Sequence, residues 1–427
     1  MSERTAADIA ETPPVRGGAV AFIFVTILLD MLALGMIMPI LPKLVESFVD
    51  NDTASAARIF GLFGTAWALM QFFFSPILGG LSDRFGRRPV VLLSNFGLGL
   101  DYVLMALAPS LIWLFVGRVI SGITSASVST AFAYIADITP AERRAAVFGK
   151  VGMAFGAGFI LGPAIGGLLG GLDPRLPCWV AAGLSFANTL YGWLILPESL
   201  PRDRRSPFRW KSANPMGALH LLRSDRVLAG LSVVNFIAQL AHVVLPSTFV
   251  LYATYRYGWD TTTVGLTLAM VGVCAMAVQG AAIGPIVRRF GERRALMLGL
   301  GSGAIGFLIF GAAPSGPLFW LGIPVMALWG VAGAATQALM TRLVAPDQQG
   351  KLQGATSSVQ SVSQLLGPFL FTLTFAWFIG ARAPLTLPGA PFLLASALLV
   401  LALAIAARVL AAIKPHGAET HLRRLEP

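Results

Sequence analysis

The sequence predicts an all-α membrane protein of twelve transmembrane helices, arranged as two pseudo-symmetric six-helix halves. Three observations carry this. The 427 residues are 56% hydrophobic and only 12% charged, with a mean hydropathy of +0.75, whereas a soluble domain carries roughly 25% charged residues. Apolar runs of about twenty residues recur from end to end, each long enough to cross a hydrocarbon core of roughly 30 Å as a helix. With the N-terminus placed inside, 25 of the 31 Lys and Arg residues fall on the inner side and five on the outer, with Arg118 inside a span. That asymmetry is the one that orients membrane proteins. Helix is the spanning solution that fits, because a lipid-facing backbone must satisfy its own hydrogen bonds and barrel strands are shorter and alternating.

Residues 1–18 hold Glu3, Asp8, Glu11 and Pro13-Pro14, without the basic start and small-residue cleavage site of a cleaved signal. They read as a short cytoplasmic tail, and the first span as an uncleaved insertion signal. That span covers residues 19–41 and contains Asp30. The second covers 59–78 and contains Gln71. Between it and the third span, 90–107, lies the run Gly79-Gly80-Leu81-Ser82-Asp83-Arg84-Phe85-Gly86-Arg87-Arg88-Pro89. Four charges and three glycines in eleven residues require a sharp turn at the water boundary, on the inner side by the basic count. The third span holds Asp101 and the fourth, 111–135, holds Arg118. A charged turn from Asp137 to Arg144 leads to a glycine-rich fifth span, 145–169, and then to a sixth, 178–196.

Composition then changes. Residues 197–226 form the longest polar connection, with basic clusters at Arg202-Asp203-Arg204-Arg205 and Arg209-Trp210-Lys211. Six further spans follow: 227–252, 264–287, 295–312, 318–339, 352–379 and 392–413. The organisation expected is a tail (1–18), a six-helix bundle (19–196), a cytoplasmic linker (197–226), a second bundle (227–413) and a cytoplasmic tail (414–427). Gly284 to Arg294 repeats the Gly79–Pro89 run in degenerate form, with Arg288 where the first copy has Asp83, and so reads mainly as a basic topology anchor. Repeated halves place a substrate cavity near mid-membrane.

Ionisable residues inside a membrane are costly and are functional candidates by default. Asp30 lies in span one, Asp101 in span three and Arg118 in span four. The two carboxylates are the proton-carrier candidates, and Arg118 could pair with either. No carboxylate falls within a second-half span: Asp225, Asp260, Glu292, Asp347, Glu419 and Glu426 lie in loops or the tail. A static ion pair or polar helix contact is the plain alternative for each. Gly158, Gly162, Gly166 and Gly167, with Pro163, form a small-residue ladder that lets helices approach closely; it serves either tight packing or a bending, sealing helix. Gln71, Asn235, Gln239, His242, Gln279, Gln337, Gln360 and Gln364 are polar points on apolar spans. Singly each reads as an interhelical hydrogen bond; together they fit a cavity for a partly polar organic molecule.

Several classes are excluded or disfavoured. Cys178 and Cys274 both lie in apolar runs and mark neither a disulfide framework nor a metal site. There is no HExxH, zinc-type cluster or phosphate-binding Gly-Lys-Ser/Thr loop, so neither an enzyme nor an ATP-driven pump is expected, and no cofactor other than the coupling proton. The net charge of +11 belongs to inner loops rather than to a nucleic-acid surface. A receptor or scaffold would need a soluble domain larger than any loop here.

These motifs resemble the major facilitator superfamily. The Gly79–Pro89 run resembles its loop signature, Leu114 to Thr124 around Gly117-Arg118 its fourth-span motif, and Gly158 to Gly167 the fifth-span motif of its antiporters. More narrowly, Leu29-Asp30-Met31, Ile37-Met38-Pro39-Ile40-Leu41-Pro42, Ala68-Leu69-Met70-Gln71, Leu100-Asp101-Tyr102 and Ile135-Ala136-Asp137 are similar to the tetracycline/proton antiporters. The resemblance implies a cytoplasmic gate at Gly79, Asp83, Arg84, Gly86, Arg87, Arg88 and Asp137, essential carboxylates at Asp30 and Asp101, and Gln71 at the drug site. It implies proton-coupled efflux of a small amphipathic drug or metabolite by a monomer in a bacterial-type inner membrane, both termini cytoplasmic. An uptake symporter is the runner-up. One departure stands out. The carboxylate those exporters carry in span nine is replaced by Gly303, which cannot titrate. Either coupling runs through Asp30 and Asp101 alone, or the substrate differs.

Overall fold

The computed structural model describes residues 17–125, 127–139, 141–205, 222, 225–345 and 348–412. The expected N-terminal tail up to residue 16, the Arg209-Trp210-Lys211 cluster and the expected C-terminal tail lie outside them. The described residues are helical, and ten helices are long and apolar enough to cross a membrane, with Leu111–Thr124 as a shorter apolar one. One of the ten, Thr261–Ala312, holds both the eighth and the ninth expected spans. Counting it twice and adding the fourth span accounts for all twelve positions. Large apolar side chains stand exposed along these helices, among them Ile112, Leu168, Trp193, Leu321 and Val400, as a lipid-facing surface requires.

Sixteen α-helices are described. In chain order they are α1 (Gly17–Ile37), α2 (Leu41–Ser47), α3 (Thr53–Phe85), α4 (Arg87–Leu107), α5 (Leu111–Thr124), α6 (Ser127–Ile138), α7 (Ala141–Leu172) and α8 (Leu176–Ile195). They continue as α9 (Arg226–His242), α10 (Val244–Tyr257), α11 (Thr261–Ala277), α12 (Ile283–Ala312), α13 (Gly316–Ala327), α14 (Gly330–Arg342), α15 (Gln349–Ile379) and α16 (Ala390–Ala412).

Several expected spans are interrupted, and the interruptions have local causes. The first stops at Ile37 and restarts at Leu41, because Pro39 cannot donate the bond that would carry the helix through. The seventh breaks at Val243 between α9 and α10, where Pro246 likewise removes a donor from the new first turn. The fourth is two helices rather than one run over 111–135. Ser125 leaves the helix at φ −73°, ψ 66°, while Thr124 bonds back to Ile120 O at 3.0 Å. Hydroxyl side chains that compete for backbone groups bend and end helices in this way. The tenth breaks at Leu328-Trp329. The eighth ends in a π-turn, Val278–Ala282, a feature frequent at functional sites.

The chain forms two compact units. The first holds residues up to Leu44, Leu69–Asn214 and Thr261–Ala269; the second holds Val45–Ala68, Pro215–Asp260 and the rest. These are not simply the six-helix halves cut at the linker: two short segments are exchanged. In the first unit α1 packs on α7 and α8, and α4 on α5, α6 and α8, around Phe22, Ile23, Ile27, Met31, Tyr134, Ile135 and Val151. In the second, α12 packs on α13, α14 and α16, and α9 on α15 and α16.

Glycines set how closely helices meet. A Cβ on Gly162 would lie 2.7 Å from Gly35 Cα, and one on Gly158 2.5 Å from Met31 Cβ, so the expected ladder is where α7 meets α1. Gly167 faces elsewhere: a Cβ there would lie 2.9 Å from Gly265 Cα and 2.7 Å from Thr261 O. The exchanged segment 261–269 is therefore held in the first unit by backbone-to-backbone contact that any side chain would prevent.

Candidate functional site

The turn after α3 is built on one glycine. Gly86 has φ 108°, in the left-handed region that suits glycine, and a Cβ there would lie 2.6 Å from Glu198 Cδ. The chain reverses at Gly86 and α4 begins at once with Arg87. Its first amides are free, as at any helix start. Glu198 fills that role: Oε1 accepts from Arg87 N at 2.8 Å and Oε2 from Arg88 N at 3.3 Å. The same carboxylate accepts from Ser199 N at 3.0 Å and Leu200 N at 3.1 Å. An anion at a helix N-terminus also meets the positive end of the helix dipole.

Arg87 then gathers the remaining charge. Its guanidinium pairs with Asp83 one turn back, donates to Ser82 Oγ at 2.6 Å, and pairs through Nε with Asp137 Oδ2 at 3.0 Å. Ser199 Oγ donates to the same Asp137 oxygen at 3.2 Å. The side chain of Arg87 is 13% exposed and that of Asp83 51%, so Asp137 is the more sheltered partner. Two expected gate residues stand apart. Arg84 lies over the Phe85 ring, 5.0 Å from its centroid, and Arg88 donates to Trp193 O. Gly79 has open space where a Cβ would be and makes no close approach.

The second site lies inside the first unit. Asp101 on α4 and Arg118 on α5 form a buried ion pair, with the Asp101 side chain fully enclosed. Gly117 makes the room: a Cβ there would lie 2.5 Å from Asp101 Oδ1. Arg118 also approaches Met105 Sδ at 3.4 Å. Of the two partners open to Arg118, the structure selects Asp101. Asp30 on α1 is held instead by amides. Asn188 Nδ2 donates to Asp30 Oδ1 at 3.0 Å and to Thr26 O at 3.2 Å. With the Asn95 amide nitrogen turned to the acid, it donates to the Asp30 oxygens at 3.3 and 3.1 Å while its oxygen accepts from Asn188 at 3.0 Å. Gln71 Nε2 reaches Ser125 Oγ at 3.1 Å, at the break between α5 and α6.

In the second unit, His242 ends α9 and Trp329 sits at the break before α14; their ring centroids are 5.5 Å apart. Trp329 also covers Gly303. A Cβ on Gly303 would lie 2.8 Å from Trp329 Cγ and 2.8 Å from Leu399 Cδ1. The volume that a span-nine acid would need is filled by indole and leucine. Of the remaining polar candidates, Gln337 bonds Gln353 at 3.2 Å. Asn235, Gln239 and Gln364 are half-buried, and Gln279 is exposed within the π-turn. Among the described residues these four make no side-chain hydrogen bond to one another.

The degenerate repeat is more than a basic anchor. Gly291 has φ 72° and ψ 163°, close to Gly86 at φ 108° and ψ 160°. The residue after each glycine pairs with the end of a later helix: Arg87 with Asp137, and Glu292 with Arg342 at 2.7 Å. The polarity is reversed. Glu292, four residues after Arg288, stands where the first copy has Arg87.

Other residues were also missed. Glu198 was legible only as an acid after a proline. Asn95 and Asn188 carry the same signal as the glutamines, a polar group in an apolar run, but nothing in sequence aims them at Asp30. Among the described residues no group of three or more His, Cys, Asp or Glu is arranged to hold a metal.

The Major Facilitator Superfamily profile matches residues 23–368 and again 231–424. The class C tetracycline resistance protein of Escherichia coli is 38% identical over 85% of this chain and 93% of its own length. The class G protein of Vibrio anguillarum is 38% identical over 83% and 89%. Among solved structures, the human organic anion transporter MFSD10 (TETRAN) superposes with a TM-score of 0.67 at 25% identity, covering 92% of this chain and all of that one. The nucleoside transporter NupG reaches 0.75 at 14% identity over 93% and 99%, a likeness of fold.

Proposed function

Because the chain belongs to the Major Facilitator Superfamily, and is a multi-pass membrane transporter of small molecules rather than an enzyme, we propose that it exports an amphipathic drug of the tetracycline type in exchange for protons. The single observation that carries the coupling is the Asp101–Arg118 pair, enclosed between α4 and α5. A proton arriving at Asp101 cancels the acid and leaves Arg118 charged inside the bundle. A buried cation without its partner is strongly destabilising, so protonation and rearrangement proceed together. Asp30, in its amide cradle, is the second proton site. Gln71 with Ser125 in the first unit, and His242 with Trp329 in the second, are the polar and aromatic contacts for substrate. Each lies beside a helix break, where transporters expose backbone to cargo. The relatives' names supply the tetracycline class. With Gly303 in place of a span-nine acid and its space filled by Trp329 and Leu399, this reading routes coupling through Asp30 and Asp101.

The Asp83–Arg87–Asp137–Glu198 cluster acts as the cytoplasmic latch, with both termini inside and the chain in a bacterial-type inner membrane, as the 25-to-5 split of basic residues supports. The test is proton release from acidified everted vesicles on adding tetracycline or a drug panel. Drug-driven release that disappears in Asp101→Asn supports the reading. Unchanged release in that variant removes Asp101 from coupling. Label accumulating in whole cells instead of leaving them makes the protein an uptake carrier.

A further inference from the structure

A cavity in the second unit has no part in the transport reading and does not depend on it. It holds about 360 Å³ and is lined by Arg58 on α3 and by Leu373, Thr374, Ala376, Trp377 and Phe378 on α15. Its shape follows from how the two helices cross. A Cβ on Gly61 would lie 3.0 Å from Thr372 Cβ, and one on Gly64 3.0 Å from Pro368 Cβ. The helices are therefore close at that level. One turn nearer the start of α3, the helices part and leave a wedge, with a guanidinium on one wall and apolar and aromatic groups on the other.

The wedge lies at a helix end. Arg58 is five residues past Thr53, where α3 begins, and Trp377 is two before Ile379, where α15 ends. Trp377 is 65% exposed and Leu373 36%, in the position of the aromatic belts that mark membrane interfaces. Arg58 donates to Ser55 Oγ at 3.1 Å and, among the described residues, forms no ion pair. The nearby acid, Asp52, is committed to the start of α3: it accepts from Ala54 N at 3.0 Å. Its carboxyl lies below the ordinary range, chiefly through a hydrogen bond from Ser55 and in smaller part through the nearby charge of Arg58. The guanidinium keeps donors to spare beside an apolar slot.

We propose that this wedge binds an anionic glycerophospholipid, the phosphodiester on Arg58 and the acyl chain against Leu373, Trp377 and Phe378. Guanidinium matches phosphate oxygens as a two-pronged donor, and the slot receives the chain directly below the headgroup. A zwitterionic lipid would bring a second cation to the same place. The wedge joins α3 to α15, so its occupant would brace their crossing at Gly61 and Gly64.

The full chain is reconstituted in nanodiscs, and Trp377 fluorescence is taken as the difference between the unchanged protein and Trp377→Phe. Brominated phosphatidylglycerol should quench that signal at about tenfold lower mole fraction than brominated phosphatidylcholine, the scale of one charge-assisted contact. Arg58→Gln should bring the two lipids level, and Arg58→Lys should fall between. Equal quenching in the unchanged protein, or a preference that survives Arg58→Gln, overturns the assignment. Should Trp377→Phe fail to fold, native mass spectrometry of the unchanged protein and Arg58→Gln reads the same preference as retained lipid.

Discussion

Glu198 accepts the backbone N–H of Arg87 at 2.8 Å across 111 positions of chain. One carboxylate from the start of the central linker thereby caps the helix that begins at the basic turn. It joins the turn to the linker and stands next to Ser199, whose hydroxyl reaches Asp137. The cluster is a small network rather than a row of separate pairs.

Glu198→Ala should weaken transport more than Asp83→Asn. Losing an N-cap costs about 0.5–2 kcal/mol, and here it also frees the linker from α4. Drug-driven proton flux in everted vesicles, normalised to protein level, measures this. Glu198→Asp should recover part of the loss. Full activity in Glu198→Ala would show the cap to be incidental.

Asp83→Asn should reduce transport several-fold without altering topology, and Arg87→Ala should reduce it further. Among the described residues Asp83, half-exposed, pairs with Arg87, whereas Arg87 is sheltered and holds Ser82, Asp83 and Asp137 together. Cysteine labelling of inner and outer loops checks topology. Equal activities for the two variants would count against Arg87 as the hub.

Arg118→Ala should destabilise the protein severely, by about 3–5 kcal/mol, since it strands a buried acid. Asp101→Asn/Arg118→Gln should recover most of the thermal stability in detergent yet remain without proton flux. Flux in that double variant would separate the pair from coupling.

Gly303→Asp should lower thermal stability by about 1–3 kcal/mol, the usual cost of overpacking, because Trp329 and Leu399 occupy the space. Gly303→Asp/Trp329→Ala should relieve the clash. Melting curves of the two variants decide it; a Gly303→Asp protein as stable as the parent would mean that Trp329 swings aside at no cost.

The extent of legibility differs between fold and site. Composition alone identified a membrane bundle, since lipid leaves helices as the open solution for long apolar runs. Asp30, Asp101, Arg118 and the basic turn were legible because each is an expensive exception to that composition. Arg118 could be named from sequence, but its choice of Asp101 over Asp30 could not. The choice depends on Gly117 leaving space for one carboxylate and on two asparagines claiming the other. The breaks at Val243 and Ser125 escaped notice because apolar periodicity runs straight through them.

The sequence by itself determined the class of protein, the placing of its twelve spans, the expected sidedness and the list of rare polar groups. Burial cost in lipid acts on each residue separately and so can be read along a line. Only the tertiary structure decided partners: Glu198 with Arg87, Asp101 with Arg118, Asn188 with Asp30, Trp329 over Gly303, and Glu292 with Arg342. Those depend on contacts of a few ångströms between residues tens to over a hundred positions apart, and no local pattern encodes that distance.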